Sequence, residues 1–146
     1  MKNIIFLTSF LILFSYSLKA QEWETDFTRA SELASREHKP IILVFQGSDW
    51  CAPCIKLDRE VWSTETFREY AKEHFVMLRA DFPRKSKNAL PQEQQEANAR
   101  LAEAYNKNGI FPLVVVLDEK GKVLGKTSYK KMGPAEYISL LESFKS

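Results

Sequence analysis

The chain has 146 residues, the length of one domain, and its 45% apolar and 27% charged residues exclude a disordered or low-complexity chain. The formal charge is +2, yet residues 1–20 hold two of the 21 basic residues, Lys2 and Lys19, and none of the 19 acidic ones. The remainder is neutral, which argues against nucleic acid as a partner, because nucleic-acid binders carry a basic footprint.

Met1-Lys2-Asn3 gives a short positive start, Ile4 to Phe14 is almost wholly apolar, and Ser15 to Ala20 turns small and polar. This order predicts a secretory signal peptide over residues 1–20, cut after Ala20. The apolar run falls short of the roughly 20 residues a membrane-spanning helix needs. The mature domain is then 21–146, periplasmic or secreted, where disulfides persist. An uncleaved membrane anchor is the alternative.

Thr25 or Asp26 can cap a first helix running to about His38, with Phe27, Ala30, Leu33 and Ala34 on one face. Lys39-Pro40 breaks it, and Ile41 to Phe45 has the continuous apolar character of a strand buried on both sides. Gly47-Ser48-Asp49 is a turn, a helix starts near Cys51 and continues through Val61, and Ser63 or Thr64 restarts a helix through Ala71. Phe75 to Ala80 is a second strand. Residues 82–91 form a polar loop with three positive charges, whose favoured reading is a solvated connection. Gln92 to Asn108 is helical, with Gly109 as its stop. Leu113 to Leu117 is the most apolar strand, Asp118 to Gly121 a hairpin turn, and Lys122 to Thr127 the returning strand. Gly133-Pro134 opens a last helix with Tyr137, Leu140, Leu141 and Phe144 on one face. Strands separated by helices imply parallel pairing, with the final hairpin adding an antiparallel edge.

Both cysteines lie in one C-x-x-C, Cys51-Ala52-Pro53-Cys54, which follows a buried strand and opens a helix. Unpaired N–H groups and the positive dipole end at a helix start favour a thiolate. Cys51, coming first, is expected to hold the more exposed sulfur and act as nucleophile, with Cys54 within bridging distance. Pro53 fixes φ in the first turn at no cost in hydrogen bonds. Attack by Cys51 on a substrate disulfide gives a mixed disulfide, which Cys54 resolves.

Other chemistries fit less well. Structural zinc needs four ligands, and only His38 and His74 remain, at opposite ends of the expected strands. Haem attachment needs histidine where Ile55 stands, and an iron–sulfur cluster lacks cysteines. An inert structural disulfide would close so short a loop that it restricts the unfolded chain little. No metal, nucleotide or other cofactor is called for.

Trp50-Cys51-Ala52-Pro53-Cys54, after a strand and turn and before a helix, together with Ile110-Phe111-Pro112 ahead of an apolar strand, resembles the thioredoxin superfamily. Gly47 to Cys51, Lys39-Pro40-Ile41, Asp81-Phe82-Pro83 and Gly109 to Pro112 are similar to the exported thioredoxin-like oxidoreductases of bacteria. The resemblance implies an α/β thioredoxin-like fold, a central mixed sheet of about four strands flanked by helices. It implies that Pro112 is a cis-proline facing the sulfurs, leaving the Phe111 backbone free to pair with an extended substrate. Trp50, Phe111 and Met132-Gly133 would form an apolar landing surface, although simple core packing is a rival explanation of Trp50. It also implies disulfide-containing client proteins and a membrane electron donor of the DsbD type.

Two positions depart from the pattern: Phe45 stands where thioredoxins place a buried aspartate, and Met77 where its lysine partner is expected. Proton transfer at Cys54 then needs water or another acid, with Asp58 the nearest candidate in sequence. Asp49 opposes a strongly depressed thiolate pKa at Cys51. Ala52-Pro53 puts no cation between the cysteines, no Lys or Arg lies in the four residues before Cys51, and only Lys56 follows. These features favour a disulfide reductase. An oxidase or isomerase, and a non-catalytic binding module stapled by its cysteines, are the alternatives.

Overall fold

The computed structural model describes residues 22–145. The expected signal peptide, residues 1–20, lies outside the described residues. Asp26 caps helix α1 (Phe27–Glu37) by accepting the Arg29 N–H at 2.8 Å, and His38 ends it with φ 55°. Strand β1 (Ile41–Gln46) follows Pro40, buried at every position but the last. Helix α2 (Ala52–Leu57) runs into a π turn (Asp58–Trp62) that closes where the Ser63 N–H donates to the Asp58 carbonyl at 2.8 Å. The Thr64 hydroxyl then caps α3 (Glu65–His74) by accepting the Phe67 N–H. Strand β2 (Val76–Asp81), helix α4 (Gln92–Tyr105), strands β3 (Leu113–Leu117) and β4 (Val123–Thr127), and helix α5 (Pro134–Ser143) complete the order.

The sheet order is β2-β1-β3-β4. Side chains alternate between faces along a strand, so β1, β2 and β3 each feed two cores. Ile41, Leu43 and Phe45 join Val76, Leu78, Leu113 and Val115 beneath Ala30 and Ala34 of α1 and Leu101 of α4. Ile42, Val44, Met77, Val114 and Val116 pack on the other side against Leu57, Trp62, Phe67, Tyr137 and Leu141. Burying one such aliphatic or aromatic side chain stabilises by about 1.5–3 kcal/mol. The central position of β1 explains why its apolar run is unbroken.

Two expectations are corrected. β1 and β2 pair in parallel, but β3 runs antiparallel to β1 although a helix separates it from β2. A helical connection permits a parallel crossover without requiring one; β3 starts beside the end of β1, where Phe111 packs on Trp50 and Phe82. Helix α4 stops at Tyr105 rather than Asn108. Buried Asn106 turns the chain by donating its amide to the Ile110 carbonyl and accepting the Ile110 N–H, both at 2.9 Å. Gly109 sits four residues past the helix end with φ 62°, a turn conformation glycine favours.

The sheet also extends beyond β2 in a way periodicity did not signal. Glu24 bridges to Leu78 in parallel, donating its N–H to Met77 and accepting from Arg79. Trp23 is thereby laid edge-on against Trp62, beneath the Arg79 guanidinium at 4.4 Å.

Candidate active site

The turn after β1 delivers Cys51 to the N-cap of α2, where its backbone is extended and its sulfur faces the open helix end. The Cys54 N–H points at Cys51 Sγ at 3.3 Å. A helix-end donor aimed at one sulfur is an arrangement that favours negative charge on that sulfur. The two cysteines are disulfide-bonded, with Cα atoms 5.2 Å apart. The expected difference in exposure is absent in this oxidised form, with Cys51 4% and Cys54 5% exposed. The N-cap position folds the first sulfur back over the helix, so what distinguishes Cys51 is the N–H it receives. Ala52 and Pro53, by contrast, are exposed.

The Phe111–Pro112 peptide bond is cis, as the resemblance implied. Pro112 is buried, and its carbonyl accepts the Ser128 hydroxyl at 2.5 Å. The Ser128 carbonyl in turn accepts the Tyr137 hydroxyl at 2.9 Å. This string anchors the start of β3 to α5. Burial in that apolar core pushes the Tyr137 hydroxyl pKa well up, so it remains a donor.

Trp50 is half-buried, and it belongs to neither core. Its ring meets Phe111 edge-on at 5.4 Å, and Phe111 meets Phe82 at 5.5 Å. Its indole N–H donates to the Phe82 carbonyl at 2.7 Å. Gly47 makes room for it, since a Cβ there would collide with the indole. Gly47→Ala is expected to push the ring out, break the bond to Phe82 and cost about 1–3 kcal/mol, read as a lower urea midpoint.

The loop after β2 is solvated along residues 84–89, as expected, but it also folds back onto this site. Asp49 accepts the backbone N–H groups of Arg84 at 2.9 Å and Lys85 at 3.0 Å, and the Asn88 amide at 2.9 Å. Asp81 at the end of β2 accepts both the N–H and the hydroxyl of Ser48. The Arg84 guanidinium lies 3.6 Å from the centre of the Trp50 ring. Composition marked the loop as cationic, but only its folding back onto residues 48–50 brings Arg84 to the tryptophan. Ile55 and Ile110, 46% and 45% exposed, add apolar surface at α2 and before Phe111. Met132 is partly buried against the core that includes Leu57 and Tyr137, and Gly133 caps α5 with open space around it.

Those donors, led by the Arg84 N–H and the Asn88 amide, hold the Asp49 pKa at about 2, below the ordinary 3.8. Between those values the unfolded chain binds more protons than the folded one. The clamp's contribution is therefore complete above the unfolded pKa and is lost as pH falls toward 2. Asp49→Asn is expected to flatten the stability profile of the native chain between pH 5 and 2, as followed by urea unfolding.

Residues 22–119 match the family model described as thioredoxin-like. The chain belongs to the thioredoxin-like family. It is 38% identical over 122 residues to the disulfide bond reductase DsbH of Chlamydia pneumoniae, covering 84% of this chain and 71% of that protein. A solved structure of the DsbH oxidoreductase superposes with a TM-score of 0.79 at 36% identity, covering 86% of this chain and 85% of that one. A disulphide isomerase from Xylella fastidiosa Temecula1 shares the fold alone, with a TM-score of 0.59 at 24% identity over 81% of this chain and 87% of that one. With its Cys51–Cys54 disulfide, the chain is a thiol–disulfide oxidoreductase of this family.

The departures from the thioredoxin pattern look different in three dimensions. Phe45 pairs with Ala80 and faces α1 and α4, whereas Met77 pairs with Ile42 and faces the opposite side. In this thioredoxin-like sheet the two positions therefore do not meet. The Asp58 carboxylate accepts the Ser63 hydroxyl at 3.1 Å and acts electrostatically on Arg79, while its link to Cys54 is the backbone N–H it donates to the Cys54 carbonyl. Burial pulls the Arg79 pKa below its usual range, opposed by Asp58 and Asp81. Lys56 lies 5.6 Å over the Tyr129 ring, and the Tyr129 hydroxyl donates to Glu60. The two histidines do not lie at opposite ends of the strands as expected: they precede the parallel β1 and β2, so both sit at the end away from the cysteines.

Proposed function

We propose that this chain is an exported thiol–disulfide reductase acting on protein disulfides. The observation that carries the reading is the Cys51–Cys54 disulfide at the start of α2, with the Cys54 N–H directed at Cys51 Sγ. The 38% identity to a protein named as a disulfide bond reductase supports the direction.

In the reduced state the Cys51 thiolate attacks one sulfur of a client disulfide. A Cys51–client mixed disulfide forms, and the departing client sulfur takes a proton from solvent. Cys54, deprotonated by water, then attacks Cys51 Sγ. The second client thiol leaves and the Cys51–Cys54 bond closes. Two electrons pass to the client, and a dithiol donor returns them through the reverse exchange. A membrane conduit of the DsbD type is the proposed donor. Trp50, Phe111 and the Phe111–Pro112 backbone receive the client segment, and Pro53 keeps the first turn of α2 in place. The signal-peptide pattern of residues 1–20 supports export to the periplasm or beyond.

A strong oxidant needs an unusually stabilised thiolate. Ala52-Pro53 supplies no charge, and Asp49 and Arg84 bring one of each sign to the neighbouring turn. Equilibration with glutathione buffers is expected to give a potential near that of thioredoxin, about −270 mV, with steady turnover in insulin reduction. A value near −120 mV, typical of strong oxidants, would reject the reductase direction.

A further inference from the structure

Arg84, Lys85 and Lys87 place three cations within four residues, and no acid occurs between residues 82 and 91. The chain beyond residue 20 has as many acids as bases, so this excess is local. The loop is held firmly in place. Trp50 Nε1 grips the Phe82 carbonyl, Asp49 grips the Arg84 and Lys85 N–H groups and the Asn88 amide, and Ser86–Asn88 form a 3₁₀ turn. Every one of these bonds uses the backbone or Asn88, so all three cationic side chains stay outside the clamp. They are exposed, and among the described residues none forms a salt bridge, although the Lys85 charge acts on the Asp49 carboxylate. The Arg84 guanidinium sits 3.6 Å from the ring centre of Trp50, the residue bonded to Cys51, and among the described residues it forms no salt bridge. A planar guanidinium held this way is organised in advance for a carboxylate. Asp49 offsets one of the three charges, and the excess that remains on this short loop favours a further anion.

We propose that residues 84–87 form a docking rim for acidic client segments, pairing with Asp or Glu side chains beside the client cysteine as it meets Cys51. The proposal rests on the reductase reading and adds a substrate class to it. The rim steers and holds the client; the exchange chemistry stays with the two cysteines.

The test uses the reduced protein and three disulfide-linked peptides of one design, with Glu, Gln or Lys flanking the cysteines. At low ionic strength kcat/KM is expected to fall in the order Glu, Gln, Lys, with about tenfold between Glu and Gln. Screening by salt at about 0.5 M should bring the three together. In the variant Arg84→Gln/Lys85→Gln/Lys87→Gln the preference should vanish at low salt. The clamp on Asp49 is made by two backbone N–H groups and the Asn88 amide, none of which these substitutions remove.

Equal kcat/KM for Glu and Gln peptides in the wild-type protein would overturn the proposal. So would an equal loss on all three peptides in the variant, which would mean that the cations act on the sulfur instead. Binding to phosphatidylglycerol vesicles that the variant loses, with no peptide preference, would assign the rim to a membrane surface and reject it. Absence of turnover on every peptide would bring down the reductase reading and the rim together, a pattern distinct from loss of the preference alone.

Discussion

Cys51→Ser is expected to reduce disulfide turnover to the uncatalysed background, while Cys54→Ser accumulates a stable Cys51–client adduct. The asymmetry follows from the geometry. The Cys54 N–H is directed at Cys51 Sγ, so the first sulfur gains the most from becoming a thiolate. Cys54 has a different task, to attack the adduct from three residues away, and without it the adduct has no internal exit. Non-reducing electrophoresis with mass spectrometry of the trapped species checks both variants. Equal trapping by the two single variants would contradict the assignment of roles. Loss of the nucleophile removes the covalent step itself, so no other single change should cost more activity.

Trp62→Ala is expected to have the largest effect on stability among single substitutions at the site's support. Trp62 is 2% exposed and stands at the end of the π turn that follows the active-site helix. Its ring meets Trp23 at 6.1 Å, Phe67 at 4.7 Å and Tyr137 at 5.3 Å, all edge-on. One side chain therefore joins the N-terminal bridge, α3 and α5. Truncation removes a large apolar surface, leaves a cavity and forfeits three aromatic pairs, about 3–5 kcal/mol in all. For a domain of this size that lowers Tm by roughly 10–20 °C. Thermal circular dichroism with urea unfolding at unchanged m would establish it, and a loss under about 1 kcal/mol would contradict the packing argument. Trp62→Phe should lose less than Trp62→Ala because part of the edge-on ring packing is kept.

Much of the site was legible because its key features are local in sequence. A C-x-x-C at a strand-to-helix junction places Cys51 at an N-cap and Cys54 one turn inward, whatever else the chain does. Pro112 could be named only through the family resemblance, which implies a cis-proline in Ile110-Phe111-Pro112 ahead of the apolar strand. The role of the loop after β2 was not legible. Asp49 and Arg84 are 35 residues apart, and their union depends on the parallel register that sets the end of β2 beside the end of β1. The lack of contact between Phe45 and Met77 has a similar origin. The two positions lie on opposite faces of the sheet, a matter of side-chain alternation in the paired strands rather than of matching motifs.

The sequence by itself determined the kinds of element, their approximate order, the buried run of β1 and the pair of sulfurs that can exchange. These depend on periodicity, caps and spacing, all encoded within a few turns of chain. Only the tertiary structure decided the direction of β3, the early stop of α4 at Asn106 and the cationic loop clamped against Trp50. Each requires residues far apart in the chain to meet, and hydrophobic pattern is silent on strand direction and on which surface a polar loop folds back upon.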